Sequence, residues 1–118
     1  MMELTDVVDE IICKLVDREN LIVCCSTYPK ADRLLGAVAT SITRRVGMED
    51  RLNSSGHRKI RLLGGGAATF RNYSEAALRG VVAGHHSVLV VRWPGYKEPC
   101  EEFMRLASRA LSTDVYSL

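Results

Sequence analysis

Proline is scarce, aromatic side chains are few and long apolar runs are missing, and each shortage removes a class of protein. With three prolines and nine glycines in 118 residues, collagen-like repeats and extended low-complexity disorder are excluded. No apolar run approaches the ~20 residues that cross a bilayer. The amino end is acidic and amphipathic where a secretory leader would be basic and then greasy. The expectation is a soluble, unprocessed intracellular protein, cytoplasmic or nuclear, with no membrane association. Four cysteines (Cys13, Cys24, Cys25 and Cys100) form no CxxC pair and lie mostly in apolar patterns, as reduced thiols packed as small hydrophobes do. Adjacent residues of a strand face opposite ways, so Cys24 and Cys25 are poorly placed to share a metal.

Catalytic signatures are missing too. The sequence contains no GxSxG elbow and no GxxxxGK[ST] phosphate loop. His57 falls in a polar segment, His85 and His86 close an expected helix, and Ser26, Thr27 and Ser74 have ready uses as turn and cap residues. No nucleophile, base and orienting acid can be assembled, so no enzyme, no catalytic residue, no metal and no cofactor is expected.

What is present suits one folded domain: 47% apolar and 25% charged residues. The net charge of +2 is unevenly spread. Residues 1–20 carry six acids against two bases, a net −4, whereas residues 28–92 carry eleven bases against four acids, a net +7. Arginine outnumbers lysine 12 to 4, and the planar guanidinium suits bidentate phosphate contacts. The same charges also fit ordinary solvated faces.

Leu4, Val7, Val8, Ile11, Ile12 and Leu15 recur at helical spacing and predict an amphipathic helix. Leu21 to Cys25 reads as a buried strand. Pro29 opens a second helix with Leu34, Leu35, Val38, Ala39, Ile42 and Val46 on its apolar face and Gly47 after it. Met48 to His57 reads as a surface loop. A second strand spans Lys59 to Leu63 and stops at Gly64-Gly65-Gly66. Asn72 and Glu75 suggest a capping box, hence a helix from Tyr73 with Ala76, Ala77, Gly80 and Val81 on one face. Ser87 to Trp93 is a third strand, Pro94-Gly95 a turn, and Pro99 the start of a last helix bearing Cys100, Phe103, Met104, Ala107, Ala110 and Leu111. The tail from Asp114 adds an edge strand or nothing. The fold class is therefore α/β: an acidic helix (1–20), an α/β core (21–93) and a carboxyl-terminal helix and tail (94–118) within one domain.

The glycine cluster, placed between an expected strand and an expected helix, offers backbone amides to an anion or else marks a tight turn. As a GxGxxG fingerprint it fails, because Thr69 stands where a glycine is required. Tyr28, Lys30 and Arg33 follow the first strand, and Arg71 follows the glycines. If the strands are parallel, these loops share one edge and Lys30, Arg33 and Arg71 form one basic rim. Lys59 and Arg61 then belong to the other edge. Aromatic residues near the rim are too sparse for a base-stacking platform, so phosphate contact is favoured over base reading.

The order of elements between residues 21 and 92 resembles the Alba superfamily, nearest its branch like the stage V sporulation protein S. The likeness rests on Ser26 and Pro29 after the first strand, a helix ending Arg44-Arg45-Val46-Gly47, a strand led by Ile60, the Gly64-Gly65-Gly66-Ala67 turn and an Ala76-Ala77 helix. It implies a βαβαβ(β) sheet with two helices on one side, a homodimer, and DNA or RNA held at Lys30 and the glycine turn. The extra acidic helix and the helix after Trp93 depart from that family. Two further readings stay open: a scaffold subunit docking a protein through helices 4–16 and 99–111, and a phosphate-ligand site at the glycine loop.

Overall fold

The computed structural model describes residues 2–45, 48–54, 57–74, 78 and 85–118. Helix α1 (Leu4–Val16) begins where the Glu3 backbone N–H donates to the Asp6 carboxylate at 3.2 Å, one arm of a capping box. Its apolar stripe, Val7, Val8, Ile11, Ile12 and Leu15, is buried. The helix stops in a Schellman motif: the Arg18 N–H donates to the Leu15 carbonyl at 3.0 Å and the Glu19 N–H to the Lys14 carbonyl at 3.1 Å. Arg18 occupies the left-handed position there, with φ 65°, where glycine would be the relaxed residue.

Strand β1 (Asn20–Cys25) follows and lies inside a six-stranded mixed sheet of order β2-β3-β4-β1-β5-β6. The other strands are β2 (Met48–Ser54), β3 (His57–Leu62), β4 (Ala67–Asn72), β5 (Ser87–Arg92) and β6 (Ser112–Ser117). β4, β1, β5 and β6 run parallel, while β3 is antiparallel to both β4 and β2. Helix α2 (Tyr28–Arg45) packs with α1 on one face of the sheet, over Leu21, Val23 and Cys25. Helix α3 (Glu101–Ala107) packs on the other, where Phe103 and Ala107 meet Ile22, Cys24, Val88 and Val90. β1 is buried on both sides, which is why it reads as an unbroken apolar run.

The α/β class expected from the sequence is the class observed, with three differences. Met48 to His57 is no surface loop: β2 and the start of β3 form an antiparallel pair there. β2 lies at one edge of the sheet, a position compatible with its polar sequence. The glycines do not lead into a helix. They turn β3 back into β4, and Asn72, expected as a helix cap, is the last residue of that strand. The helix expected from Tyr73 falls largely outside the described residues, as do Val46 and Gly47; Leu78 is helical and buried. Finally, the last helix is shorter than its apolar pattern, with Cys100 as its cap and Leu111 past its end, its N–H donating to the His86 carbonyl at 2.8 Å. The tail does become an edge strand, β6, parallel to β5.

The glycine turn is held by close approach to α1. The Gly66 N–H donates to the Leu15 carbonyl at 2.8 Å. A Cβ on Gly66 would lie 1.9 Å from the Glu19 carbonyl oxygen, and one on Gly65 would lie 2.6 Å from that of Leu15. Both obstacles are backbone and cannot swing away. Gly64, at φ 71°, supplies the left-handed step of the turn.

Two substitutions test this junction by denaturant unfolding. Gly66→Ala should cost about 3 kcal/mol through overpacking. Arg18→Gly should stabilise by about 0.5–1 kcal/mol through relief at the left-handed position. A silent Gly66→Ala would refute the close packing.

Candidate functional site

Parallel pairing of β4, β1 and β5 brings their carboxyl ends to one edge, the edge at which open α/β sheets place ligands. The element after β1, α2, lies on one face and the element after β5, α3, on the other. A crevice opens on the α1/α2 side of the sheet, beside the end of β5 and between the start of α1, the first turns of α2 and Leu118. Thr27 caps α2, its hydroxyl accepting the Lys30 N–H at 3.3 Å and its carbonyl the Ala31 N–H at 3.0 Å. With Ala31, Leu34 and Leu35 turned into the core, Lys30 and Arg33, three apart, share a side of the helix facing the end of β5.

There β5 runs into Trp93 and a tight turn. The Tyr96 N–H donates to the Trp93 carbonyl at 3.3 Å, and Gly95 takes φ 78°, as position three of a type II turn after Pro94 demands. The Lys30 ammonium lies 4.9 Å from the centre of the Trp93 ring and 4.6 Å from that of Tyr96. The Arg33 guanidinium stands 5.7 Å from the Trp93 ring. Arg58, at the start of β3, stacks on Tyr28 at 4.3 Å and pairs with Asp32. Each of the three cations rests on an aromatic ring, an attraction worth about 0.5–1 kcal/mol at exposed sites. The crevice holds about 360 Å³, between Lys30, Arg33, Trp93 and Tyr96 on one side and Met2, Leu4 and Leu118 on the other, with Glu3 in its wall.

Near the ends of the same strands, on both faces of the sheet, sit groups of little reactivity. Burial pushes the Cys25 thiol up to about 12, the neighbouring Trp93 indole acting in the opposite sense. Burial raises Cys24 as well, helped by Cys25. Tyr73 is raised chiefly by burial, and its hydroxyl donates to the Val91 carbonyl, tying the end of β4 across to β5. Among the described residues, the buried Ser26 Oγ and Asn72 Oδ1, both at this edge, lack hydrogen-bond partners. Among the described residues, no group of three or more His, Cys, Asp or Glu is placed to hold a metal.

The residues singled out by sequence are thus divided. Lys30 and Arg33 come together at Trp93, while Tyr28 stands with Arg58 and Asp32 outside the crevice lining. Arg71 does not join them: it pairs in register with Cys24, whose side chain faces the α3 side, so it belongs to the opposite face of the sheet. Lys59 and Arg61 pair with Thr69 and Ala67 on that same side, so the second basic set is Lys59, Arg61 and Arg71. Arg92 also lies on that side, paired with Glu98, which holds the Glu98 carboxyl below its usual range. Gly64, Gly65 and Gly66 lie at the amino ends of β4 and β1, the far edge from Lys30, and the Gly65 N–H donates to the Leu62 carbonyl as Gly66 does to Leu15. Sequence reasoning missed Arg58, Trp93 and Tyr96. Trp93 is within reach of that reasoning, because it closes the expected third strand at the level of Thr27, the residue that caps α2.

No protein-family model, no curated protein and no solved structure matches the chain.

The burial of the thiols sets a measurable pattern. With a thiol-specific reagent at pH 8, Cys13 and Cys100, both exposed, should react rapidly, while Cys24 and Cys25 should react only on unfolding. Four fast thiols in the native protein would contradict the core described above.

Proposed function

We propose that this protein is a nucleic-acid-binding protein without catalytic activity, holding phosphates along the carboxyl edge of its parallel strands with Lys30, Arg33 and Arg58. The observation that carries this reading is that three cations from two separate elements stand at one edge, each steadied by an aromatic ring. Among the described residues, Lys30 and Arg33 have no ion-pair partner, so their charges are available to an anion. Two or three phosphate contacts bind weakly, and pairing of two copies would double the count.

Other readings have less support. The apolar stripes expected to dock a partner are spent on the chain's own core, since α1 buries Val7, Ile11 and Leu15 and α3 buries Phe103 and Ala107. A protein partner would have to meet their polar sides. A phosphate ligand at the glycine turn would find the Gly65 and Gly66 amides already engaged.

Titration with DNA and RNA at two salt concentrations tests the proposal. Lys30→Ala with Arg33→Ala should weaken binding to every sequence and flatten the dependence of log K on log salt by roughly 1.5 for single strands. Arg71→Ala, on the other face, should change affinity little. Unaltered binding by the Lys30/Arg33 double variant would defeat the assignment.

A further inference from the structure

The cations of the rim do not stand beside bare aliphatic surface. Tyr96 sits at the tip of the Trp93–Tyr96 turn and remains 46% exposed, whereas Trp93 behind it is 8% exposed. Large aromatic side chains normally bury their rings, and here a rigid turn of Pro94 and a left-handed Gly95 presents one outward. The Lys30 ammonium lies over one face of its ring, 4.6 Å from the centre, leaving the other face for a stacking partner, and the ring borders a crevice of about 360 Å³, within the usual size range of small-ligand pockets and near its lower end. The opposite wall is apolar at Met2, Leu4 and Leu118, with Glu3 set between the first two. A planar heterocycle with a phosphate on each side fits these features: the ring against Tyr96, the flanking phosphates on Lys30 and Arg33. In a duplex the base faces are stacked away, and an aromatic ring has nothing to lie on.

We infer that the crevice takes one unpaired base stacked on Tyr96, so that the protein selects single-stranded nucleic acid over duplex. This deepens the phosphate-binding reading and rests on it. Tyr96 supplies the selectivity and the cations the attraction common to both forms. Tyr96 lies on an exposed turn, so its truncation leaves the core intact.

The test measures affinity for a mixed-sequence single strand, the same sequence as a duplex, and a single strand of equal length with abasic sites, using wild type, Tyr96→Leu and Tyr96→Phe. Wild type should prefer the single strand, and Tyr96→Leu should lose about ten-fold on it, since stacking of one base is worth about 1–3 kcal/mol. On duplex and abasic strand the same variant should lose no more than the about two- to five-fold that one cation–ring contact with Lys30 is worth, and Tyr96→Phe should restore the single-strand affinity. Fluorescence of Trp93, the one tryptophan of the chain, reports occupancy independently. Equal binding of the normal strand by Tyr96→Leu and wild type overturns the inference while leaving the phosphate-binding reading standing. Absence of any binding by wild type overturns both.

Discussion

The double-sided burial of β1 is the constraint on which the rest depends. Five consecutive residues, Leu21 to Cys25, are no more than 8% exposed. Fully burying an aliphatic side chain contributes about 1.5–3 kcal/mol, so a one-residue slip in register, which would exchange the two faces, is costly. With β1 fixed, β4 and β5 can pair only alongside it, and both pair in parallel. Parallel pairing is what puts Ser26, Asn72 and Trp93 at one edge. α2 must leave β1 on one face while α3 covers the other, and the crevice lies on the α2 side, between α2, the start of α1 and the turn after β5.

The same constraint holds the rim in place. α2 is anchored by Ala31, Leu34, Leu35 and Val38, all 0% exposed, so the helix cannot roll and Lys30 and Arg33 cannot leave the end of β5. Trp93 belongs to the same core cluster. Long cationic side chains lose about 2 kcal/mol of rotamer entropy when ordered, and contacts with aromatic rings offset part of that loss before any ligand arrives. The cations are thereby presented partly ordered, which lowers the cost of meeting an anion.

What could be read from the sequence follows how local the signal is. α1, α2, β1 and β5 announce themselves through periodicity or unbroken apolar runs, because each buries its pattern against the core directly. β2 and β4 do not. β2 is polar, as its position at the edge of the sheet allows, and β4 (AATFRN) alternates correctly, with Ala68 and Phe70 buried, yet carries no β-branched residue except Thr69. Three glycines before it suggest a helix-leading loop unless the hairpin is considered, and Leu63 to Gly66 is a hairpin connection of ordinary length. The site divides the same way. Tyr28, Lys30 and Arg33 were legible because they follow β1 in the chain. Arg58 reaches the rim only because β3 runs antiparallel, and Trp93 and Tyr96 only because β5 lies beside β1. Arg71 was assigned to the rim for want of strand parity: once β4 is known, its alternation with Phe70 places it on the opposite face.

Charge alone does not explain how such a rim would work. Lys30, Arg33 and Arg58 are accompanied by Asp32, paired with Arg58, and by Glu3 in the crevice wall, so three positive charges against two negative leave a local excess of one. The remaining basic residues of the middle segment cannot reinforce it across the sheet, for Lys59, Arg61 and Arg71 point the other way and Arg92 is held by Glu98. At physiological ionic strength charges separated by more than about 8 Å are largely screened, which confines the attraction to the immediate edge. A polyanion drawn only by charge would gain little there and would be released readily by salt. On the proposed reading, the nonpolar and aromatic surface at the same place, Tyr96 above all, would supply what Coulomb attraction does not. A ligand that joins phosphate to an accessible planar ring satisfies both demands where a bare phosphate backbone satisfies one.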